Sequence, residues 1–267
     1  MAKHIAYYYF HWSDSEHFHR IFTFYPNYNH ALTVYKNSDV ELFEASSKVS
    51  TSQKESLTVL YSVNTHHSAK VDLSGPFNKI GIVFNPAGIN HFLKKPLGTY
   101  TFNPPFDYFD HFGNMLHKVL GQVYAEQDAE KKGEMLDVFF ESIYNGFEEP
   151  IAKAALMQVL NSNGTVKVEE LSEKTGINRK TLLRLFKKHF CASVEEYKKM
   201  VMFRNALNYS QQHDDASLTD VALYNLYYDQ AHFIKHFKSV TRQSPKTLLH
   251  HLTHLGGQEA LYWHFEE

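Results

Sequence analysis

Residues 227–245, YYDQAHFIKHFKSVTRQSP, carry side chains suited to contact with a polyanion. Helical spacing places Phe233, Phe237 and Val240 on one apolar stripe. The opposite face carries amide, small, apolar and basic side chains: Gln230, Ala231, Ile234, Lys235 and Lys238. No acid follows Asp229 in this segment, whereas an ordinary solvated face mixes both charge signs. The chemistry of this face is hydrogen bonding through an amide and charge neutralisation through ammonium groups.

The same arrangement occurs earlier in the chain. Residues 168–197 and 218–248 each contain a short helical pattern, a turn and a longer helical pattern that ends in a Phe-Lys pair. The face equivalent to the one above carries Arg179, Lys180, Leu183, Arg184 and Lys187, and the core face carries Leu182, Leu185, Phe186 and Phe190. Arg and Lys bind guanine or phosphate, Gln binds adenine, and small apolar side chains contact the thymine methyl group. We therefore expect both faces to contact DNA, although Ile234 has the alternative of packing on the connecting helix.

The turns have residues that can position these faces. Gly176 suits the left-handed position that ends a helix. Asn178 and Asp229 are good N-caps for the longer helices, and Pro245 suits the first turn of the helix that follows. Two helices joined by a short turn form a helix-turn-helix unit, whose second helix enters the major groove. The sequence predicts such units at about 168–190 and 218–240.

Charge is unevenly distributed along the 267 residues. Residues 151–250 contain 15 Lys/Arg and 9 Asp/Glu, a net charge of +6, whereas residues 1–150 contain 12 and 17, a net charge of −5. This asymmetry indicates a nucleic-acid-binding module joined to a different domain, with chance variation on solvated surfaces as the alternative. Cys191 is the only cysteine, which excludes an intramolecular disulfide. No apolar run reaches membrane-spanning length and no signal peptide is evident, so we expect a cytoplasmic protein without membrane contact.

The coarse pattern predicts an α+β chain. Strands are expected up to about residue 84, including 31–36, 56–63 and 78–84. Helices follow at about 86–147, with a short helix within 85–98 and longer helices at 110–124 and 131–147. We predict a β-rich N-terminal domain with helices at 1–148, an all-α domain with both units at 151–252, and a docked tail at 253–267. The aromatic residues within 7–28 suit either a β-sheet core or an effector pocket.

Residues 178–186, NRKTLLRLF, and 226–238, LYYDQAHFIKHFK, followed by RQSP at 242–245, resemble the AraC/XylS family of bacterial transcription regulators. The family patterns are S-x-R-x-L-x-R-x-F and G-F-x-D-Q-S-H-F-x-R-x-F-K, then G-x-S-P, and the match covers roughly residues 155–250. The resemblance implies a central helix at about Val194–Gln211 and two units that contact successive major-groove segments about 10 base pairs apart. By order and pattern, the N-terminal region is similar to the family's cupin-like sensor domain, so the resemblance implies a sensor and dimerisation domain at 1–148. The resemblance therefore implies double-stranded DNA, a small-molecule effector and a homodimer partner.

The chain departs from the family pattern at several glycines. Leu226 replaces the turn glycine of the second unit, and Cys191 and Arg242 replace the glycines that close the two recognition helices. A β-carbon disfavours the left-handed conformation by about 1 kcal/mol, so we expect these turns to be rearranged. Met202 stands where the family often has an arginine in the connecting helix.

Two other function classes compete with a regulator. A metal-dependent cupin enzyme with an accessory DNA-binding domain is the first, because His17 and His19 have the spacing of metal ligands. No acid follows them at the usual interval and no nucleotide-binding fingerprint is present, so we predict no catalytic residue, metal or cofactor. The second is a helical module that binds only protein. Salt-dependent DNA binding separates that class from a regulator.

Overall fold

The computed structural model describes residues 1–62, 68–100, 102, 105–213, 215–249, 253–255 and 261–266. The chain divides into two compact units. The N-terminal unit consists of Met1–Arg20, Asn29–Val63 and Val71–Glu148. The C-terminal unit consists of Ile21–Tyr28, Asn64–Lys70 and Glu149–Glu267. Within the described residues, no helix is both long enough and apolar enough to span a membrane.

Strands predominate in the first part of the chain and helices in the second. The strands are β1 (Ile5–Ser13), β2 (His19–Phe24), β3 (His30–Lys36), β4 (Ser38–Phe43), β5 (Ser46–Thr51), β6 (Leu57–Ser62), β7 (Ala69–Ser74), β8 (Phe77–Phe84), β9 (Phe106–Tyr108), β10 (Thr253–Leu255) and β11 (Leu261–Glu266). The helices are α1 (Gly113–Ala125), α2 (Ala129–Ser142), α3 (Pro150–Asn161), α4 (Val168–Thr175), α5 (Arg179–Phe190), α6 (Val194–Gln212), α7 (Leu218–Tyr224), α8 (Gln230–Thr241) and α9 (Pro245–Leu249). The predicted α+β class, β-rich and then helical, is confirmed.

The N-terminal unit is built on an antiparallel sheet in the order β1-β8-β3-β6-β9. Strand β8 is buried along most of its length, because it lies between β1 and β3. Gly81 in β8 faces Tyr9 in β1, and a β-carbon at Gly81 would overlap the Tyr9 ring. In a second sheet, β5 lies between β7 and β4. The three strands predicted at 31–36, 56–63 and 78–84 correspond to β3, β6 and β8, with residue 63 outside the described residues.

Aromatic side chains join α2 to this sheet. The Phe140 ring packs edge-on against Phe84 of β8 at 5.6 Å between centroids, and against Phe92 at 4.9 Å. Phe92 follows a short 3-10 helix at Gly88–His91, where a short helix is predicted. The two helices predicted at 110–124 and 131–147 correspond to α1 and α2. Helical periodicity therefore located α1 and α2 to within about five residues at each end.

In the C-terminal unit, α6 connects two helix-turn-helix pairs. Helix α3 packs against α4, α5 and α6, and α6 also packs against α7 and α9. A capping box starts α6, since Ser193 Oγ accepts from the Glu196 amide at 3.2 Å and a Glu196 carboxylate oxygen accepts from the Ser193 amide at 2.6 Å. The first half of α6 buries Tyr197 and the second half buries Phe203. One helix therefore contributes to the cores of both pairs.

Two further segments complete the C-terminal unit. Tyr25 is buried in the core cluster of the second pair, with its ring 6.3 Å from that of Phe203. The backbone of β11 pairs antiparallel with β2 between Ile21 and Phe24, and β10 pairs with β11. Residues 256–260 and 267 of the predicted tail lie outside the described residues.

Candidate nucleic-acid interface

The first helix-turn-helix pair spans Val168 to Phe190, which are the limits predicted for it. Gly176 ends α4 in the left-handed conformation at φ 69°. The side chain of Asn178 then caps α5 by accepting a hydrogen bond from the Thr181 amide at 2.9 Å. These two residues end α4 and start α5, and so define the turn between the two helices.

The second pair spans Leu218 to Thr241, one residue beyond the predicted limit. The side chain of Asp229 caps α8 by accepting from the His232 amide at 2.6 Å. Tyr227 is buried in the turn, and its hydroxyl lies 2.8 Å from Nδ1 of His236. Ser217 and Asp220 form a capping box at the start of α7. Both pairs therefore cap the recognition helix with a short polar side chain at the same position.

The expected rearrangement of the glycine-less turns does not occur. Cys191, Leu226 and Arg242 have φ values of 55°, 60° and 61°. All three therefore keep the left-handed conformation for which glycine is preferred. Tertiary packing on both sides of each turn outweighs a conformational cost of about 1 kcal/mol per residue. Met202, which stands where the family often has an arginine, is half-buried and packs against the second core.

The DNA-facing side predicted for α5 is exposed throughout. Its side chains are Arg179, Lys180, Leu183, Arg184 and Lys187, with Leu183 40% exposed. On the opposite side, Leu182, Phe186 and Phe190 are buried and Leu185 is half-buried. The helix therefore presents four cationic side chains and one leucine away from the core of its own unit.

Helix α8 presents a similar but narrower face. Gln230, Ala231, Lys235 and Lys238 are exposed, whereas Ile234 is half-buried and packs against the second core cluster. Phe233 and Phe237 are buried, as their spacing predicts. Ile234 and Leu183 therefore differ in burial, although they occupy equivalent positions in the sequence repeat.

The exposed charge on these helices comes from Lys and Arg. Burial lowers the pKa of His236 to about 4, with smaller contributions from His232 and Lys199, so its ring is neutral at pH 7. Burial also lowers the pKa of His189, while Glu149 acts in the opposite direction. The thiol of Cys191 has a pKa raised to about 11 by burial, and it is therefore protonated.

Sequence reasoning missed two contacts at the start of the recognition helices. Nη2 of Arg179 lies 2.6 Å from Oε1 of Glu169, and the hydroxyl of Thr219 donates to Oε1 of Gln230 at 3.1 Å. Glu169 and Thr219 are the second residues of α4 and α7. Aligning the two repeats on the first residues of their helices would have shown that Glu169 corresponds to Thr219 and Arg179 to Gln230.

Of the two histidines considered as metal ligands, His19 has a side-chain partner in the structure. Nε2 of His19 pairs with Oδ1 of Asp72 at 2.8 Å. Within the described part of the chain, no three His, Cys, Asp or Glu side chains are grouped so as to hold a metal ion.

Comparison with known proteins gives two kinds of match. Residues 171–251 match the family model described as "Helix-turn-helix domain". The chain is similar in structure to ToxT from Vibrio cholerae in its P21 crystal form, at 12% identity and a TM-score of 0.49, covering 91% of this chain and 97% of that one. The comparison with curated proteins yields no match.

Two ligand-bound structures of ToxT are also similar. One, from Vibrio cholerae O395, is bound to (E)-4-(8-methylnaphthalen-1-yl)but-3-enoic acid and has 14% identity and a TM-score of 0.47, covering 91% of this chain and 98% of that one. The other, from strain SCE256, is described as "unsaturated fatty acid bound", with 13% identity and a TM-score of 0.47, covering 87% of this chain and 94% of that one.

The capped helix pairs and the matched family model define the class of this protein as a helix-turn-helix DNA-binding regulator. Its helix-turn-helix domain, at 171–251, is of the AraC type, as the motifs of the two recognition helices imply.

Proposed function

We propose that this regulator binds double-stranded DNA by placing α5 and α8 in successive major-groove segments. One observation carries the proposal: the same capped helix pair occurs twice in one unit, each time with an exposed cationic face on its second helix. A face of this kind on one hairpin is an ordinary solvated surface. Its duplication on both sides of a shared central helix supports two-site recognition.

The proposed contacts divide by chemistry. Arg179 and Gln230 begin their helices and Lys235 lies in the second turn of α8, in the N-terminal half of a recognition helix that contacts base edges. Lys187 and Lys238 follow the core Phe of each helix, and we assign them to phosphate. Leu183 and Ala231 are apolar side chains on the same faces and suit thymine methyl groups. Lys180 and Arg184 complete the cationic surface of α5.

Selection from a random double-stranded DNA pool with the full chain tests the proposal. We expect an enriched site with two conserved segments about 10 base pairs apart. Lys187→Ala and Lys238→Ala are each expected to weaken binding to all sequences and to reduce the salt slope by about 1. Lys131→Ala, an exposed lysine in α2, is the matched control. A pool with no enriched sequence, or an unchanged slope in both variants, would contradict the proposal.

We also propose that a small-molecule effector binds in the N-terminal unit. His30 is 2% exposed and its Nδ1 is hydrogen bonded to the Tyr61 hydroxyl, while its Nε2 has no hydrogen-bond partner among the described residues. The Tyr61 ring contacts Phe102 at 4.6 Å and Phe109 at 6.1 Å. Apolar surroundings with one oriented polar atom are typical of a ligand site. A hydrophobic ligand with one hydrogen-bonding group should raise the melting temperature of the wild type and not that of His30→Phe.

A homodimer is the third part of the proposal. Met115 in α1 and Val138 in α2 are 54% and 66% exposed, and apolar side chains on adjacent helices favour an interface. Sedimentation analysis of the wild type and Val138→Glu tests this assignment. Identical monomer mass for both proteins would contradict it.

A further inference from the structure

Each of the two helix-turn-helix pairs has an equivalent contact at its surface, between the first residue of its second helix and a residue of its first helix. Arg179 and Gln230 are the first residues of α5 and α8. Each is bound by the second residue of the preceding helix: Arg179 Nη2 lies 2.6 Å from Glu169 Oε1, and Thr219 Oγ1 donates to Gln230 Oε1 at 3.1 Å. The geometry is the same in both repeats, whereas the chemistry is an ion pair in one and a neutral hydrogen bond in the other.

Neither contact is part of a hydrophobic core. The side chains of Arg179 and Glu169 are 64% and 51% exposed, and Thr219 and Gln230 are exposed as well. Exposed pairs of this kind stabilise a fold by little. Their effect is instead to restrict the rotamers of two long side chains at the helix ends that enter the major groove. A long side chain that is already oriented loses less conformational entropy when it binds a base.

We propose that Glu169 and Thr219 are positioning residues that orient Arg179 and Gln230 for base readout. The inference rests on the proposed binding of α5 and α8 in the major groove. With Oε1 facing Thr219, both Nε2–H groups of Gln230 remain available for acceptors such as purine N7. With one edge of the guanidinium held by Glu169, the N–H groups on its other edge remain available for guanine acceptors. Helices α4 and α7 therefore shape sequence preference through residues that need not contact a base.

The ion pair has a second consequence. Glu169 offsets the positive charge of Arg179 and so weakens its attraction to phosphate on any sequence. Removing the carboxylate should raise the affinity for random DNA and, because Arg179 is released, lower discrimination at one base pair. These two changes have opposite signs. A loss of folded protein would lower both quantities, so the pair of measurements separates positioning from a structural role.

The experiment uses the full chain and a selected site, with binding measured against every single-base variant of that site and against random DNA. We expect Glu169→Gln to reduce discrimination at one base pair about two- to fivefold, which corresponds to the range for exposed pairs, and to bind random DNA more tightly. The matched control is Glu170→Gln, which removes the same charge from the next residue of α4 but disrupts a pair with Lys174 at 2.7 Å instead. It should tighten random binding and leave discrimination unchanged.

The second pair is tested by Thr219→Val, which removes the hydroxyl and keeps the shape. Discrimination should fall at one base pair, about 10 base pairs from the position affected by Glu169→Gln, without a change in random binding. Thr219→Ser keeps a hydroxyl and should restore the wild-type preference. The positioning role is overturned, and the proposed function is not, if two results occur together. Glu169→Gln and Glu170→Gln would show the same discrimination at every base pair, and Thr219→Val would discriminate as the wild type does. A wild type without sequence preference would overturn the proposed function with it.

Discussion

At the scale of single residues, Leu226 is strained by the turn it occupies. Because its side chain is 56% exposed, it has little packing to lose on substitution. Its φ of 60° puts a residue with a β-carbon in the left-handed region. We expect Leu226→Gly to raise the free energy of unfolding by up to about 1 kcal/mol, because the relief of strain exceeds the added entropy of the unfolded chain. Urea unfolding followed by circular dichroism measures this change.

Leu226→Ala is the control for this prediction. Alanine removes the exposed apolar surface and keeps the β-carbon, so it should give no comparable gain. Equal stabilisation by Ala and Gly would show that the exposed side chain, and not the backbone conformation, is the source of the cost.

Leu183 and Ile234 occupy equivalent positions in the sequence repeat, but their surroundings differ. Leu183 is 40% exposed, whereas Ile234 is half-buried against the second core. We expect Leu183→Ser to leave the melting temperature nearly unchanged and to relax preference at one base pair. Ile234→Ser should lower the free energy of unfolding by about 1–2 kcal/mol, because it removes buried apolar contacts. Thermal melts and binding to site variants would distinguish the two. A Leu183→Ser protein that melts much earlier would assign Leu183 to a packing role.

At the scale of elements, α8 is sensitive to acid through His236. Burial lowers the pKa of His236 to about 4, and the ring is held by the Tyr227 hydroxyl. In the unfolded chain, His236 is protonated at about pH 6.5, well above its pKa in the folded protein. The stability that the neutral ring contributes is therefore complete above that pH and is lost as the pH falls toward 4. The loss from this group is on the order of 3 kcal/mol.

Urea unfolding curves recorded by far-ultraviolet circular dichroism between pH 4 and pH 7.5 test this prediction. His236→Asn keeps a hydrogen-bonding atom near the position of Nδ1 and does not titrate in this range. The variant should show a shallower dependence of stability on pH than the wild type. His30, whose pKa burial also lowers to about 4, contributes to both proteins alike. Parallel curves would exclude His236 as a source of acid sensitivity.

At the scale of the whole molecule, the C-terminal unit is discontinuous in sequence. Arg204 in α6 is 2% exposed, and its guanidinium donates to the backbone oxygens of Pro26 at 2.7 Å and Tyr25 at 3.2 Å. Replacing Arg204 by Met leaves these buried carbonyl groups without that donor. We expect Arg204→Met to lower the free energy of unfolding by about 2–4 kcal/mol, as measured by urea unfolding of the full chain. Asn205→Ala, which removes a surface bond to Asn163, should cost less than about 1 kcal/mol.

A fragment of residues 149–267 gives a smaller expected effect. This fragment lacks Tyr25 and Pro26, so Arg204 loses the two backbone acceptors that these residues supply. Arg204→Met should therefore destabilise the fragment by less than it destabilises the full chain. Equal destabilisation of both proteins would mean that residues 21–28 are dispensable for the packing of α6.

The amino-acid sequence by itself determined the local elements of the helical region. Helical periodicity and the short polar caps placed the two pairs at Val168–Phe190 and Leu218–Thr241 to within one residue. The exposed cationic faces of α5 and α8 followed from the same spacing. These features are predictable because a helix, its cap and its apolar stripe depend on residues within about one turn of each other.

The tertiary structure alone decided the contacts between distant segments. Arg204 meets residues almost 180 positions away, and no local pattern marks Tyr25 as part of the second core. Leu226 keeps a left-handed backbone against its own preference, because packing on both sides of the turn outweighs a local cost. The contacts of Glu169 and Thr219 depend on side-chain rotamers and on the angle between two helices. Such quantities arise only when the whole unit is packed, since the sequence specifies them through many weak contacts at once.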